Sequence, residues 1–265
     1  MRFFEGCTAL ITGASAGLGA EFARQLAPVA GTLVLVARRA DNLDGLKTDL
    51  ESRHPGVRVF VYVMDITREN QNRDFLAWLQ KEKIRINFLV NNAGMGDKGL
   101  FATGDWAKIH AVLELNIVAL TRLTHHLLPM LTEGGRGAIL NVSSVAGLIP
   151  LPQMAVYAAT KAYVNSFSDG LRMELRDTGV TVTAVLPGPV ETEFGRVATR
   201  GNGDPEWDTP DELLLPAEDV VRSALGAVAA DKARVIPGWK VALLMGLAVA
   251  LPLGILRAIL QRGAR

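Results

Sequence analysis

One cysteine, Cys7, occurs in the 265 residues, so no internal disulfide can form and a reducing compartment fits. Cys7 lies in the first strand-like segment and reads as a small core residue. Neither sign of charge is in excess: 28 Lys and Arg stand against 27 Asp and Glu, a formal charge of +1. That balance argues against nucleic acid as the main partner, because phosphate binding calls for a basic excess on one face. Histidines are few. His54, His110, His125 and His126 show no clean metal-ligand spacing, and no metal is expected. Residues 1–6 lack an apolar stretch behind a basic start, so no signal peptide is read there. No repeat, low-complexity tract or interdomain linker interrupts the chain.

Apolar residues make up 49% of the chain, enough for a large buried core. Short aliphatic runs at 7–12, 33–37, 57–64, 86–91, 138–142, 180–186 and 234–236 alternate with helix-length stretches. This alternation predicts βαβ units, hence an α/β fold with a doubly wound parallel sheet of about seven strands. Residues 1–238 form the expected domain; 239–265 form an apolar helical tail, not an independent domain. Residues 200–210 make a long polar loop, a lid candidate.

The first run leads into Thr12-Gly13-Ala14-Ser15-Ala16-Gly17-Leu18-Gly19 and then a helical pattern. Gly13 permits a tight turn, Gly17 lets backbone approach a pyrophosphate, and Gly19 lets helix pack on strand. The helix N-terminus offers free N–H groups to phosphates. Placed between a strand and a helix, the turn reads as a dinucleotide site of Rossmann type rather than a plain loop. With Asn91-Asn92-Ala93-Gly94 after the fourth run, the glycine spacing resembles the short-chain dehydrogenase/reductase family, and the resemblance extends over roughly residues 6–238.

The position after the second run decides which dinucleotide is expected. It carries Ala37-Arg38-Arg39 and no carboxylate. A carboxylate there would accept from a ribose 2′-hydroxyl, whereas a guanidinium binds a 2′-phosphate. NADP(H) is therefore expected over NAD(H), through Arg38; the plainer reading is that both arginines start a solvated helix. Asp65 and Ile66 match the family's adenine contact, though Asp65 alone reads as a strand-end or helix-cap residue. The resemblance adds Ser15, Ala16, Leu18, Asn92, Ala93 and Gly94 to the cofactor set. It also adds Pro187, Gly188, Val190 and Thr192 for the nicotinamide carboxamide.

Tyr157 and Lys161 stand four residues apart, on one face of a helix. A nearby ammonium, with the positive nicotinamide ring of an oxidised cofactor, would favour the phenolate and draw the tyrosine from its ordinary value near 10 toward working pH, where it can exchange a proton with a carbonyl or alcohol oxygen. With only three tyrosines, such a pair arises by chance in roughly one chain in ten. Its weight comes from context. Ser144 precedes it at the family's spacing and can bond the substrate oxygen; Ser143 reads as structural. Asn116 matches the family's fourth member, which the resemblance places in a water-linked proton route to Lys161. Its plainer reading is a helix kink or a core hydrogen bond.

The resemblance thus implies an oxidoreductase moving a hydride between NADP(H) and a carbonyl or secondary alcohol. The apolar stretch 145–152, with Met95 and Met154 beside it, favours a lipophilic small-molecule substrate. A non-catalytic nucleotide sensor and an epimerase or dehydratase of the extended branch are the competing classes. The family commonly forms homodimers or homotetramers through helices near 103–130 and 155–178. The tail run 241–256 is uncharged, shorter than the ~20 residues of a spanning helix, and interrupted by Pro252. Three roles stay open for it: a helix packed on the core or on a second copy that covers the substrate pocket, contact with a membrane surface, or a span. The expected location is the cytoplasm, with membrane association left open by the tail.

Overall fold

The computed structural model describes residues 2–200 and 210–263. Seven strands form one parallel sheet in the order β3-β2-β1-β4-β5-β6-β7. They are β1 (Thr8–Thr12), β2 (Thr32–Ala37), β3 (Arg58–Val63), β4 (Phe88–Asn91), β5 (Gly137–Val142), β6 (Val180–Val185) and β7 (Arg234–Val235). Each expected strand is present, with ends shifted by one or two residues. The lid candidate falls largely on 201–209, outside the described residues.

Helices cover both faces: α1 (Gly17–Leu26), α2 (Ala40–Arg53), α3 (Glu69–Lys81), α4 (Trp106–Leu113), α5 (Leu120–Glu133), α6 (Ala155–Glu174), α7 (Phe194–Ala198) and α8 (Ala217–Ala229). The continuously apolar strands explain the layering. In β1 and β2, Ala9, Ile11, Leu33 and Leu35 join one core with Phe22 and Leu26 of α1 and Leu225 of α8. Leu10, Val34 and Val36 join the opposite core with Phe75 of α3, Leu127 of α5 and Leu171 of α6. Burying each such side chain stabilises the fold by about 1.5–3 kcal/mol.

Two amides at the centre of the sheet are paired. Asn91 Nδ2 donates to Asn141 Oδ1 and to Thr124 Oγ1, both at 2.8 Å, and Asn141 Nδ2 donates to Ser168 Oγ at 2.9 Å. Strand order reverses between β1 and β4, which opens a crevice at their carboxyl ends.

The tail folds into α9 (Trp239–Ala250) and α10 (Leu253–Gly263), which meet at an angle of 118°. Pro252 at the break explains the turn: its ring disfavours helix at Leu251, which is extended at φ −72°, ψ 141°. No single described helix is long and apolar enough to cross a membrane.

Candidate active site

The crevice holds a cleft of about 1410 Å³ that runs from the glycine turn to Tyr157. At one end the chain turns at Gly13, φ +67°, and enters α1 from Ala16, whose side chain makes no capping bond. First-turn N–H groups are thus left for an anion. Gly19 has no room for a side chain: a Cβ there would lie 2.3 Å from the Gly13 carbonyl oxygen. Thr12 ties this turn to the next loop. Its Oγ1 accepts from the N–H groups of Asn92 and Ala93, each at 3.0 Å, and Asn92 Nδ2 donates back to Thr12 O at 2.9 Å. Thr12 was not among the predicted site residues; its role depends on a residue 80 positions away.

The two arginines after β2 behave differently. Arg39 donates from Nε to Ser15 Oγ at 3.2 Å and pairs with Glu193 at 2.6 Å. Its guanidinium holds the Glu193 carboxyl below the usual carboxylate range. Arg38 is exposed, lines the cleft and has no ion-pair partner among the described residues. Asp65 and Ile66 line the same end. Asp65 Oδ1 accepts from the backbone and hydroxyl of Thr67, at 3.0 and 2.8 Å, so one carboxylate oxygen is engaged in a local turn.

At the other end, α6 presents Tyr157, Thr160, Lys161, Val164 and Ser168 on one buried face. Lys161 Nζ donates to Val142 O at 2.9 Å and lies 5.7 Å from the centre of the Tyr157 ring. Ser144 Oγ accepts from Ala146 N at 3.1 Å and donates to Pro187 O at 3.3 Å. Ser143 is structural as expected, its hydroxyl donating to Lys161 O at 3.0 Å. Gly147 brings this loop onto α6, since a Cβ there would lie 2.5 Å from the Lys161 carbonyl carbon. Sequence reasoning passed over Gly147 because the close approach joins two elements.

Burial shifts both members of the pair. It pushes the Tyr157 phenol up to about 12, against a smaller downward pull from its hydrogen bond with Ser144. The same burial draws Lys161 down to about 8. The sequence-based expectation had the lysine pulling the phenol toward neutrality. Burial acts on the phenol in the opposite direction.

Asn116 sits in a π-helical turn, Glu114–Ala119, between α4 and α5. Its Nδ2 donates to Met95 O at 2.9 Å and to Thr160 Oγ1 at 3.0 Å, and its Oδ1 accepts from Met95 N at 2.9 Å. This matches the helix-kink and core hydrogen-bond reading, and it fastens the Met95 loop to α6. Ala146, Leu151, Met154 and Phe194 pack with Tyr157, the Phe194 ring centre lying 5.6 Å from that of Tyr157, and Met95, Ile149 and Leu214 also line the cleft. Pro187, Gly188, Val190 and Thr192 line the same cleft. Helix α9 closes the cleft with Val241, Leu244 and Met245, and a Cβ on Gly188 would lie 3.0 Å from Val241 Cγ1. His110 also lines the cleft, a position the histidine spacing did not suggest.

The uncapped α1, the Gly13 turn and Gly19 fit a pyrophosphate, and the length of the cleft fits a dinucleotide with a substrate beyond it. A doubly wound sheet with this cleft defines a dinucleotide-dependent oxidoreductase. The chain matches the short chain dehydrogenase family over residues 7–202 and belongs to it. It is 42% identical to sulfoacetaldehyde reductase 2 of Chromohalobacter salexigens over 214 residues, 80% of this chain and 84% of the relative. Among solved structures it resembles a short-chain dehydrogenase from Sphingobium yanoikuyae in complex with NADPH. There the TM-score is 0.79 and the identity 34%, with 93% of this chain and 96% of that chain covered. It also resembles the bulky-bulky ketone specific alcohol dehydrogenase from Comamonas testosteroni, with TM-score 0.74, identity 32% and coverage of 93% and 95%.

Proposed function

We propose that this oxidoreductase prefers NADP(H) and interconverts a lipophilic carbonyl compound and its alcohol, with Tyr157 as general acid and base. One observation carries the reading: Tyr157 and Lys161 are buried together under apolar walls, at the head of a cleft that ends beside Arg38. When bound, the dinucleotide supplies or accepts the hydride. Gly13, Ser15, Ala16, Gly17, Leu18 and Gly19 would hold its pyrophosphate and Arg38 its 2′-phosphate. Asp65, Ile66, Asn92, Ala93 and Gly94 would hold the adenosine half, and Pro187, Gly188, Val190 and Thr192 the carboxamide. Lys161 would hold the ribose hydroxyls.

In reduction, Tyr157 hands its phenolic proton to the carbonyl oxygen while the Ser144 hydroxyl, turned from Pro187 O, donates a hydrogen bond to the same oxygen. Asn116 keeps one acceptor lone pair beyond its bond from Met95 N. A Cβ on Gly94 would lie 3.3 Å from Asn116 Oδ1 and 3.5 Å from Lys161 Nζ, so glycine leaves the gap between them open. A water there would complete a proton route from Lys161. Apolar walls around Tyr157, and the bulky ketones in the name of the Comamonas enzyme, support a lipophilic substrate. A homodimer or homotetramer in the cytoplasm completes the proposal.

The test is loss of nicotinamide absorbance with long-chain aldehydes and bulky aryl ketones, with sulfoacetaldehyde as a small anionic comparator. Turnover of the apolar carbonyls with NADPH, at least ~10-fold above NADH in kcat/KM, is expected from a bidentate arginine contact. Preference for NADH would overturn the cofactor assignment, and turnover of sulfoacetaldehyde alone would overturn the lipophilic pocket.

A further inference from the structure

Nine of the sixteen large apolar side chains exposed among the described residues lie between Trp239 and Ile259. Helix α9 buries Val241 and Met245 against the cleft, yet leaves Trp239, Leu243, Leu247 and Val249 more than half exposed. Beyond the elbow, α10 buries Leu256 and exposes Leu253, Ile255 and Ile259. Such a continuous apolar surface on a water-facing element calls for a partner. Its shape limits what that partner is. The helices have 12 and 11 residues, about 18 and 16 Å long, and neither reaches across a hydrocarbon core of about 30 Å. Their 118° elbow keeps them from adding into one straight span.

Charge limits it further. Residues 239–265 contain Lys240, Arg257, Arg262 and Arg265 and no Asp or Glu. In the described part, Lys240 and Arg257 are exposed, and Trp239 stands 74% exposed beside Lys240. Two tails meeting in a self-complementary pair would set cations against cations. An apolar face edged by cations and an aromatic ring complements an anionic lipid surface.

We propose that the outer face of α9 and α10 docks the enzyme on the surface of an anionic bilayer, without spanning it. The inner face of α9 supplies Val241, Leu244 and Met245 to the cleft, so docking brings the substrate entrance to the lipid. The substrate class follows: a carbonyl compound dissolved in the bilayer, which enters past α9 to Tyr157. This last step rests on the carbonyl-reductase reading of the cleft; the docking itself does not.

Sedimentation of the full-length protein with vesicles tests the docking without turnover. Phosphatidylcholine vesicles with added phosphatidylglycerol should pull the protein down, and phosphatidylcholine alone should do so more weakly. The triple variant Leu243→Ser, Leu247→Ser, Ile255→Ser should lower partition at least ~10-fold. Lys240→Gln and Arg257→Gln should each lower it about 5-fold on the anionic vesicles. None of these residues lines the cleft, so reduction of a water-soluble ketone should be unchanged, while a vesicle-dissolved ketone should be turned over more slowly. Wild-type protein that stays in the supernatant with both vesicles overturns the proposal, as does partition that the triple variant leaves intact. A tail used to join two copies would show as an oligomer that the triple variant splits while vesicle binding is absent. Docking without ketone turnover would leave the surface standing and remove the substrate reading alone.

Discussion

The two ends of the cleft are built by opposite means. The end proposed to hold the cofactor is made of backbone: a turn at Gly13, an uncapped helix start and a glycine whose missing Cβ avoids the Gly13 carbonyl. The end proposed to carry the catalysis is made of side chains brought from distant parts of the chain, with Asn116, Ser144, Tyr157, Phe194 and Val241 each from a different element. Backbone sites tolerate varied neighbours but no added atoms. Side-chain sites accept new atoms and change their chemistry. Variants that separate affinity for the cofactor from turnover and substrate choice test whether this division holds.

The largest effect is expected at Tyr157. Tyr157→Phe removes the exchangeable proton and should lower kcat by about 10²–10⁴, with dinucleotide affinity unchanged by fluorescence titration. Equal loss of affinity would show that the two ends are not separate. Next comes Lys161, which titrates at about 8 in the fold against 10.5 as a free side chain. Between those values the unfolded chain binds the extra proton, so this group's contribution to stability rises with pH across that window. The difference in unfolding free energy between Lys161→Met and wild type should therefore shrink by about 3 kcal/mol from pH 8 to 10.5, as read by urea titration.

At the cofactor end, Arg38→Ala should weaken NADPH binding by about 2 kcal/mol and leave NADH unaffected, as measured by calorimetry. A matching loss for NADH would assign Arg38 a general role. The smallest effect is expected at the apolar wall. Phe194→Ala should raise KM for a bulky ketone by about 5-fold through the lost ring pairing with Tyr157, with kcat for a small ketone unchanged.

The cofactor end was the more legible from sequence for the reason that made it robust. Gly13, Gly17 and Gly19 are constrained by local geometry, and local geometry is written in neighbouring residues. The sheet was legible because strands buried on both faces leave unbroken apolar runs. Other features depend on partners far along the chain. Asp97 is buried and receives the Arg200 guanidinium from 103 residues away, with Lys108 at 3.7 Å. No local pattern announces that pairing. The π turn at Asn116 likewise exists to meet Met95 and Thr160, and α9 roofs the cleft only because Gly188 leaves space for Val241.

The buried amides in the middle of the sheet carry a consequence for catalysis. Asn91 and Asn141 face each other across β4 and β5 as direct partners in the ladder. Elsewhere these two strands are apolar and offer little to distinguish one alignment from the next. A slip by one residue, about 3.3 Å, would turn one amide toward the opposite face and leave it unpaired in hydrocarbon. The pair acts as a key that admits a single alignment. The loop with Asn92, Ala93 and Gly94 follows one amide, and Val142, Ser143 and Ser144 follow the other. Asn91 and Asn141, though neither lines the cleft, fix the distance between the loop proposed to hold the cofactor and the serine proposed to meet the substrate oxygen.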